Sequence, residues 1–100
     1  MSYILEPSKK KDKKWVITTP MGKLVHFGAK GYFDYTQHGD PKRKKDYINR
    51  HAASGKEQWD NPNTAGFWSR WLLWSEPTIT EAISNIRKKF NIKVQVKNPL

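Results

Sequence analysis

The tryptophan-rich stretch at residues 59–74, WDNPNTAGFWSRWLLW, constrains the fold more than any other part of the chain. It holds four of the five tryptophans. A helix that begins at Ala65, with Thr64 as its N-cap residue, would carry aromatic and leucine side chains around most of its circumference. Each buried aromatic side chain removes roughly 150–250 Å² from water, so this stretch is predicted to be the main core element.

Two interpretations of the aromatic side chains in this stretch remain open. In the first, the rings form the core of the domain, as expected for a helix that is apolar on nearly all sides. Alternatively, some rings stay exposed as a platform for stacked bases or for another protein. The residues concerned are Trp59, Phe67, Trp68, Trp71 and Trp74.

Short runs of β-branched and aromatic residues indicate a small sheet. Residues 15–18 and 23–27 flank the sequence Thr-Pro-Met-Gly at 19–22, which is typical of a type I turn in a bulged hairpin. Residues 92–96 alternate apolar with polar side chains, as a half-buried strand does. We expect this C-terminal strand to join the N-terminal hairpin in a small antiparallel sheet.

Capping residues predict two further helices. Asp40 followed by Pro41 predicts a helix over residues 41–53. Thr78 and Glu81 have the spacing of a capping box, and apolar residues follow them at helical intervals. The expected fold class is therefore α+β, with the small antiparallel sheet packed against about three helices.

The chain is expected to divide into a tail and one domain. Residues 1–13 predict a basic flexible tail, because a short apolar cluster is followed by Pro7 and a run of lysines. This tail is either a disordered arm or an arm that lies along a phosphate backbone or an acidic groove. Residues 14–97 predict a single compact α+β domain.

The charge of the chain predicts a polyanionic partner. Nineteen lysines and arginines stand against nine acidic residues, for a net charge of +10. Such a chain attracts nucleic acid, anionic membranes or acidic protein surfaces, although part of the excess can serve solubility. The candidate polyanion-binding residues are Lys9, Lys10, Lys11, Lys30, Lys42, Arg43, Lys44, Lys45, Arg50, Arg87, Lys88 and Lys89.

Four of these cations, at residues 42–45, crowd the start of the predicted 41–53 helix. Cations are unfavourable there, because a helix N-terminus carries partial positive charge. A bound phosphate would explain their placement. The alternative is a solvated charged face that Asp40 and Asp46 partly offset.

The sequence predicts no catalysis, no cofactor and no metal site. There is no cysteine, which excludes disulfides and thiolate zinc sites. No known hydrolase, nuclease or metalloprotease motif is present. A nuclease-like enzyme that uses His38 and Asp40 is the less favoured hypothesis.

Two segments resemble a known family. FGAKGYFDYTQHGDPKRKKDYINRH, at residues 27–51, is followed by WDNPNTAGFWSRWLLWSEPTITEAI at 59–83. With their FGAKGY turn, basic segment and TAGFWSRWLLW, they resemble a family of small basic proteins that large nucleocytoplasmic DNA viruses encode. The resemblance covers roughly residues 14–90. The resemblance implies a viral protein with an uncharacterised domain and no known catalysis. It assigns no functional residues to this chain.

Two functions fit these expectations. The favoured one is a structural component of the virus particle, a minor capsid or internal virion protein that contacts capsid or other virion proteins. The alternative is a protein that binds double-stranded DNA and neutralises phosphates in genome packaging, replication or transcription. Exposed basic residues interleaved with aromatics would favour nucleic acid. The expected location is the virion, or the host cytoplasm or nucleus, without a membrane span, because no apolar run approaches ~20 residues.

Overall fold

Four strands form a mixed sheet in the order β3-β2-β1-β4 in the computed structural model, which describes residues 2–97. The strands are β1 (Ser2–Pro7), β2 (Lys13–Thr18), β3 (Leu24–Ala29) and β4 (Lys93–Val96). The helices are α1 (Tyr35–His38), α2 (Pro41–Ser54), α3 (Ala65–Trp68), which continues as a π-helical turn (Ser69–Leu73), and α4 (Ile79–Phe90). The α+β fold class that the sequence predicts is confirmed.

The predicted hairpin is confirmed in β2 and β3. The backbone N–H of Gly22 donates to the carbonyl oxygen of Thr19 over 2.9 Å, and Gly22 has a φ of +88°. Across the two strands Trp15 lies opposite Phe27, and Ile17 lies opposite a valine. One face of the hairpin is therefore apolar and packs on the helices, as strand alternation requires.

The first part of the predicted flexible tail, residues 2–7, is instead the interior strand β1. It lies between β2, to which it is antiparallel, and β4, to which it is parallel. Leu5 is fully buried, and the ring of Tyr3 lies 5.6 Å from that of Trp68. Alternate residues of β1 thus supply core contacts, which stabilise it as a strand. Met1 lies outside the described residues.

The position of β1 also changes the partner of the C-terminal strand. The sequence predicts that this strand joins the hairpin in an antiparallel sheet. It pairs with β1 instead, in parallel, with Tyr3 opposite Val94 and Leu5 opposite Val96. A parallel pair needs a long crossover connection, which the helices between β1 and β4 provide.

The tryptophan-rich helix begins as predicted and then changes its hydrogen-bonding pattern. The Thr64 hydroxyl caps α3 by accepting from the Phe67 N–H over 3.3 Å. The N–H of Trp74 then donates to the carbonyl oxygen of Ser69, five residues earlier. Such a π-helical turn changes the angular spacing of the side chains along the helix. Phe67 and Trp68 before it, and Leu72 and Leu73 within it, all belong to the core.

The other predicted helix starts are also confirmed. The Asp40 carboxylate accepts from the Lys42 N–H over 3.0 Å, and α2 ends one residue beyond the predicted range. The Thr78 hydroxyl accepts from the Glu81 N–H over 3.1 Å at the start of α4. Within residues 2–97 no helix is long and apolar enough to cross a membrane.

Gly28 of β3 lies close to the π-helical turn. Its φ is +78°, and a Cβ there would lie 3.0 Å from Cδ1 of Leu73. We expect Gly28→Ala to lower the free energy of unfolding by about 1–3 kcal/mol, because it adds backbone strain to a steric clash. Urea denaturation followed by tryptophan fluorescence measures this loss.

Gly22→Ala is the matched control for this prediction. Gly22 also has a positive φ, but a Cβ at this position meets nothing within 4 Å. The control therefore adds strain alone and should cost less than Gly28→Ala. Equal losses would contradict a role for the contact with Leu73.

Candidate functional site

A cleft of about 600 Å³ opens between the β2–β3 hairpin and α2. The cationic side chains on it are Lys13 and Lys14 of β2 and Arg43 and Arg50 of α2. Its two carboxylates are Asp34 and Asp46, so the described lining carries an excess of positive charge. A concave surface of this size and sign suits an anionic ligand.

Both carboxylates of the cleft have cationic partners. The Lys14 Nζ lies 2.7 Å from Oδ2 of Asp34, and the Lys42 Nζ lies 3.9 Å from Oδ2 of Asp46. Among residues 2–97, the remaining cations of the lining, Lys13, Arg43 and Arg50, have no carboxylate within 4.0 Å. These three side chains are therefore available to an anion.

Two consecutive aromatic side chains stand exposed beside these cations. Tyr32 and Phe33 also line the cleft, yet 75% and 66% of their surfaces remain in contact with water. These two rings point outward because the chain turns at Gly31, with a φ of +91°, and then enters α1.

Hydrogen bonds around the buried carboxylate of Asp34 anchor the loop that carries the two rings. The carboxylate of Asp34 accepts from Nζ of Lys14 over 2.7 Å and from the Thr36 N–H over 3.0 Å. Oε1 of Gln37 accepts from the same lysine over 2.7 Å and from the Asp34 N–H over 3.0 Å. This capping box starts α1, which the sequence did not predict, and fixes the loop directly after Phe33.

A second depression, of about 470 Å³, shares Tyr32 and Phe33 with the cleft. Trp15 and Lys30 also line it. The two exposed rings therefore border two neighbouring recesses, and each recess contains cationic side chains.

The lysines of the predicted tail lie at the same end of the sheet. Lys9, Lys10 and Lys11 form the turn between β1 and β2 and are exposed. This turn is tied to its neighbours by two backbone hydrogen bonds of 3.0 Å, from Ser8 to Lys14 and from Lys30 to Asp12. The fold thus places the β1–β2 turn and Lys30 beside the strands that form the cleft.

The cations at residues 42–45 do not form one site. Arg43 lines the cleft, whereas Lys42 pairs with Asp46 and Lys45 is exposed without lining the cleft. Lys44 donates through Nζ to the carbonyl oxygen of Ser75 over 2.6 Å. The helix N-terminus itself is capped by the Asp40 side chain.

The basic residues at the end of α4 lie apart from the cleft. Arg87, Lys88 and Lys89 are exposed in the last turn of this helix, which leads into β4. In the sheet order β4 is the edge opposite β3. These three cations are therefore a separate basic surface.

The aromatic candidates of the tryptophan-rich stretch serve internal contacts. Phe67 and Trp68 have no exposed surface. The guanidinium of Arg70 stacks between Trp59 and Trp71, with 5.4 and 4.2 Å to the ring centroids. The Trp74 ring stacks on Tyr47 at 4.4 Å. The exposed aromatic pair is instead Tyr32 and Phe33.

One wall of the cleft is formed by neutral and paired groups. Burial, reinforced by the Glu57 carboxylate, raises the pKa of Tyr47 to about 12, so this phenol stays protonated at physiological pH. Next to it, Nδ1 of His51 lies 2.5 Å from Oε1 of Glu57. Burial also lowers the pKa of Arg70 behind this wall. The unpaired positive charge of the cleft therefore lies on Lys13, Arg43 and Arg50.

His38 and Asp40 hold local structure. Nδ1 of His38 accepts from the Asp40 N–H over 2.9 Å, and the Asp40 carboxylate caps α2. The part of the chain that the structure describes contains no group of three or more residues that could hold a metal ion. Both residues thus make local hydrogen bonds at the start of α2, and the nuclease hypothesis stays a prediction.

The N-terminal half of the chain is similar to a known family. Residues 3–51 match a family of unknown function (DUF5754). No curated protein and no solved structure matches the chain. The matched segment includes Lys13, Tyr32, Phe33, Arg43 and Arg50. It thus contains the unpaired cations and exposed rings of the cleft, and it ends before the tryptophan-rich stretch.

Proposed function

We propose that the protein binds nucleic acid through this basic cleft and neutralises phosphates without catalysis. The observation that carries the proposal is the cluster of Lys13, Arg43 and Arg50, which have no carboxylate partner among residues 2–97, beside the exposed rings of Tyr32 and Phe33. Cations bind phosphates, and aromatic faces bind bases. Of the two functions that fit the sequence, this arrangement favours nucleic acid.

The arrangement of the charge also argues for a ligand. A basic coat that serves only solubility needs charges spread over the surface and gains nothing from exposed aromatic rings. Here unpaired cations from β2 and α2 meet in one concave site, and two aromatic rings border it. Polar binding groups that converge in a cleft are typical of ligand sites.

The sequence resemblance supports a viral setting for this proposal. Neutralising phosphates serves the packaging, replication or transcription of a viral genome. The second candidate function is a minor capsid or internal virion protein that contacts acidic virion proteins. The observation that favours it is the exposed apolar pair Met21 and Leu24 at the β2–β3 turn, which suits a contact with another protein.

The double variant Arg43→Glu/Arg50→Glu tests the proposed function. Both side chains lie on the cleft, and both residues are exposed, so their reversal should leave the fold intact. We expect DNA affinity at physiological salt to fall by about tenfold or more, and the slope of log K against log salt to fall by roughly two units. Fluorescence anisotropy with labelled single strands and duplexes, over a series of salt concentrations, measures both quantities.

Arg87→Glu/Lys88→Glu is the matched control, because it changes the net charge by the same amount on the far surface. It should retain most of the affinity. If both double variants lose affinity equally, binding depends on total charge and the cleft is not the site. If the unmodified protein binds neither single-stranded nor duplex DNA at physiological salt, the proposed function is wrong. The presence of the protein in purified virus particles would then support the virion function.

A further inference from the structure

We infer that the ligand of the cleft is single-stranded nucleic acid, and that Tyr32 and Phe33 stack on its bases. This inference rests on the proposed function and specifies the substrate class. Phosphate contacts alone would serve a duplex and a single strand alike. The aromatic pair distinguishes between them, because a base in a duplex has both faces covered by its neighbours.

The exposure of the two rings is the first argument. Tyr32 and Phe33 keep 75% and 66% of their surfaces in water, although the core would gain from burying them. A partner that contacts only phosphates would leave this apolar surface exposed. An unpaired base presents a flat π-face that covers an aromatic ring, and such stacking tolerates any base sequence.

The shape of the site is the second argument. A cleft of about 600 Å³ lies in the size range of pockets that enclose small ligands. A recess of this size can enclose an unpaired nucleotide. The depression of about 470 Å³, which Tyr32 and Phe33 also line, continues the site.

Both recesses beside the rings contain cations, so a single strand of nucleic acid can be bound along both. Arg43 and Arg50 lie in the cleft, and Lys30 lies in the neighbouring depression. Tyr32 and Phe33 line both recesses. A single strand that runs from one recess to the other would place phosphates near cations at both ends and a base on the aromatic pair between them.

The loop that carries Tyr32 and Phe33 is fixed by hydrogen bonds before any ligand binds. The hydrogen bonds of Asp34 with Lys14 and with Gln37 fix the chain directly after Phe33. A platform that is held before the ligand arrives loses less conformational entropy on binding. The pairing of Lys14 with Asp34 therefore positions the rings, while other cations neutralise the phosphates.

The double variant Tyr32→Ala/Phe33→Ala of the full chain tests the inference. For a labelled oligothymidylate of about twelve nucleotides we expect a loss of affinity of about 10- to 100-fold, against about twofold or less for a duplex of equal length, with the salt slope unchanged. Tyr32→Phe keeps the ring and should retain most of the affinity for the single strand that the double alanine variant loses. Circular dichroism melting confirms that each variant is folded.

Met21→Ala/Leu24→Ala is the matched control, because it removes two exposed apolar side chains from the β2–β3 turn. It should leave both affinities unchanged. Equal losses for single strand and duplex, or no loss in the aromatic double variant, would overturn the inference. If Arg43→Glu/Arg50→Glu still weakens binding in that case, the proposed function stands without base stacking. If the unmodified protein binds neither form, both fail.

Discussion

Trp68→Ala is expected to lower the free energy of unfolding by about 3–5 kcal/mol, the usual cost of truncating a buried tryptophan. The ring has no exposed surface and lies 5.6 Å from Tyr3 and 6.4 Å from Phe27, so it connects β1 to β3. The cavity left by the indole cannot close without moving both strands. Because single domains are stable by only about 5–15 kcal/mol, the variant should lose a large part of its stability. Urea denaturation followed by far-UV circular dichroism gives the value.

Two further variants separate the contributions of Trp68. Its Nε1–H donates to the carbonyl oxygen of Pro62 over 2.8 Å, so Trp68→Phe removes this bond and keeps most of the apolar area. It should cost less than the alanine variant. Trp71→Ala, at a half-buried position on the edge of the core, should also cost less. A loss below about 1 kcal/mol for Trp68→Ala would contradict a central role for this ring.

The elements that the sequence predicts are those with local signals. Asp40, Thr64 and Thr78 each cap the helix that follows, because the cap and the N–H that it binds are only two or three residues apart. The hairpin is likewise set by the turn that ends at Gly22. In each case a few consecutive residues carry the whole physical cause.

Strand β1 lacks such a local cause. Its segment is short and is followed by lysines, which is typical of a tail. It forms a strand because Leu5 pairs with Ile17 on one side and Val96 on the other, and the latter is 91 residues away along the chain. Only the assembled sheet provides both partners, so a reading of neighbouring residues alone misses this strand.

The positive charge of the candidate site can be predicted from the sequence, but the arrangement of its residues cannot. Lys30, Arg43 and Arg50 are among the predicted polyanion-binding residues, while Lys13, Tyr32 and Phe33 are not. One signal on α2 was available: Arg43, Tyr47 and Arg50 are spaced by four and three residues, which places them on one helix face. The predicted anion site was instead the run of contiguous cations at residues 42–45. The placement of Lys13 beside this face depends on tertiary packing.

Deletion of residues 1–7 is expected to abolish cooperative folding. Without β1, the sheet loses the strand between β2 and β4, so backbone groups of both neighbours lose their hydrogen-bond partners. The core also loses Leu5, which is fully buried, and Tyr3, which packs on Trp68. Far-UV circular dichroism during heating should show no sigmoidal transition in the truncated chain.

A flexible tail and an interior strand give opposite results in this experiment, because a tail makes no contribution to the core. The matched control replaces Lys9, Lys10 and Lys11 by serine, which changes the same region of the chain but leaves β1 intact. These side chains are exposed in the β1–β2 turn, so the control should melt like the full chain. A truncated chain that also melts like the full chain would show that β1 is dispensable. The core would then depend on the hairpin and the helices alone.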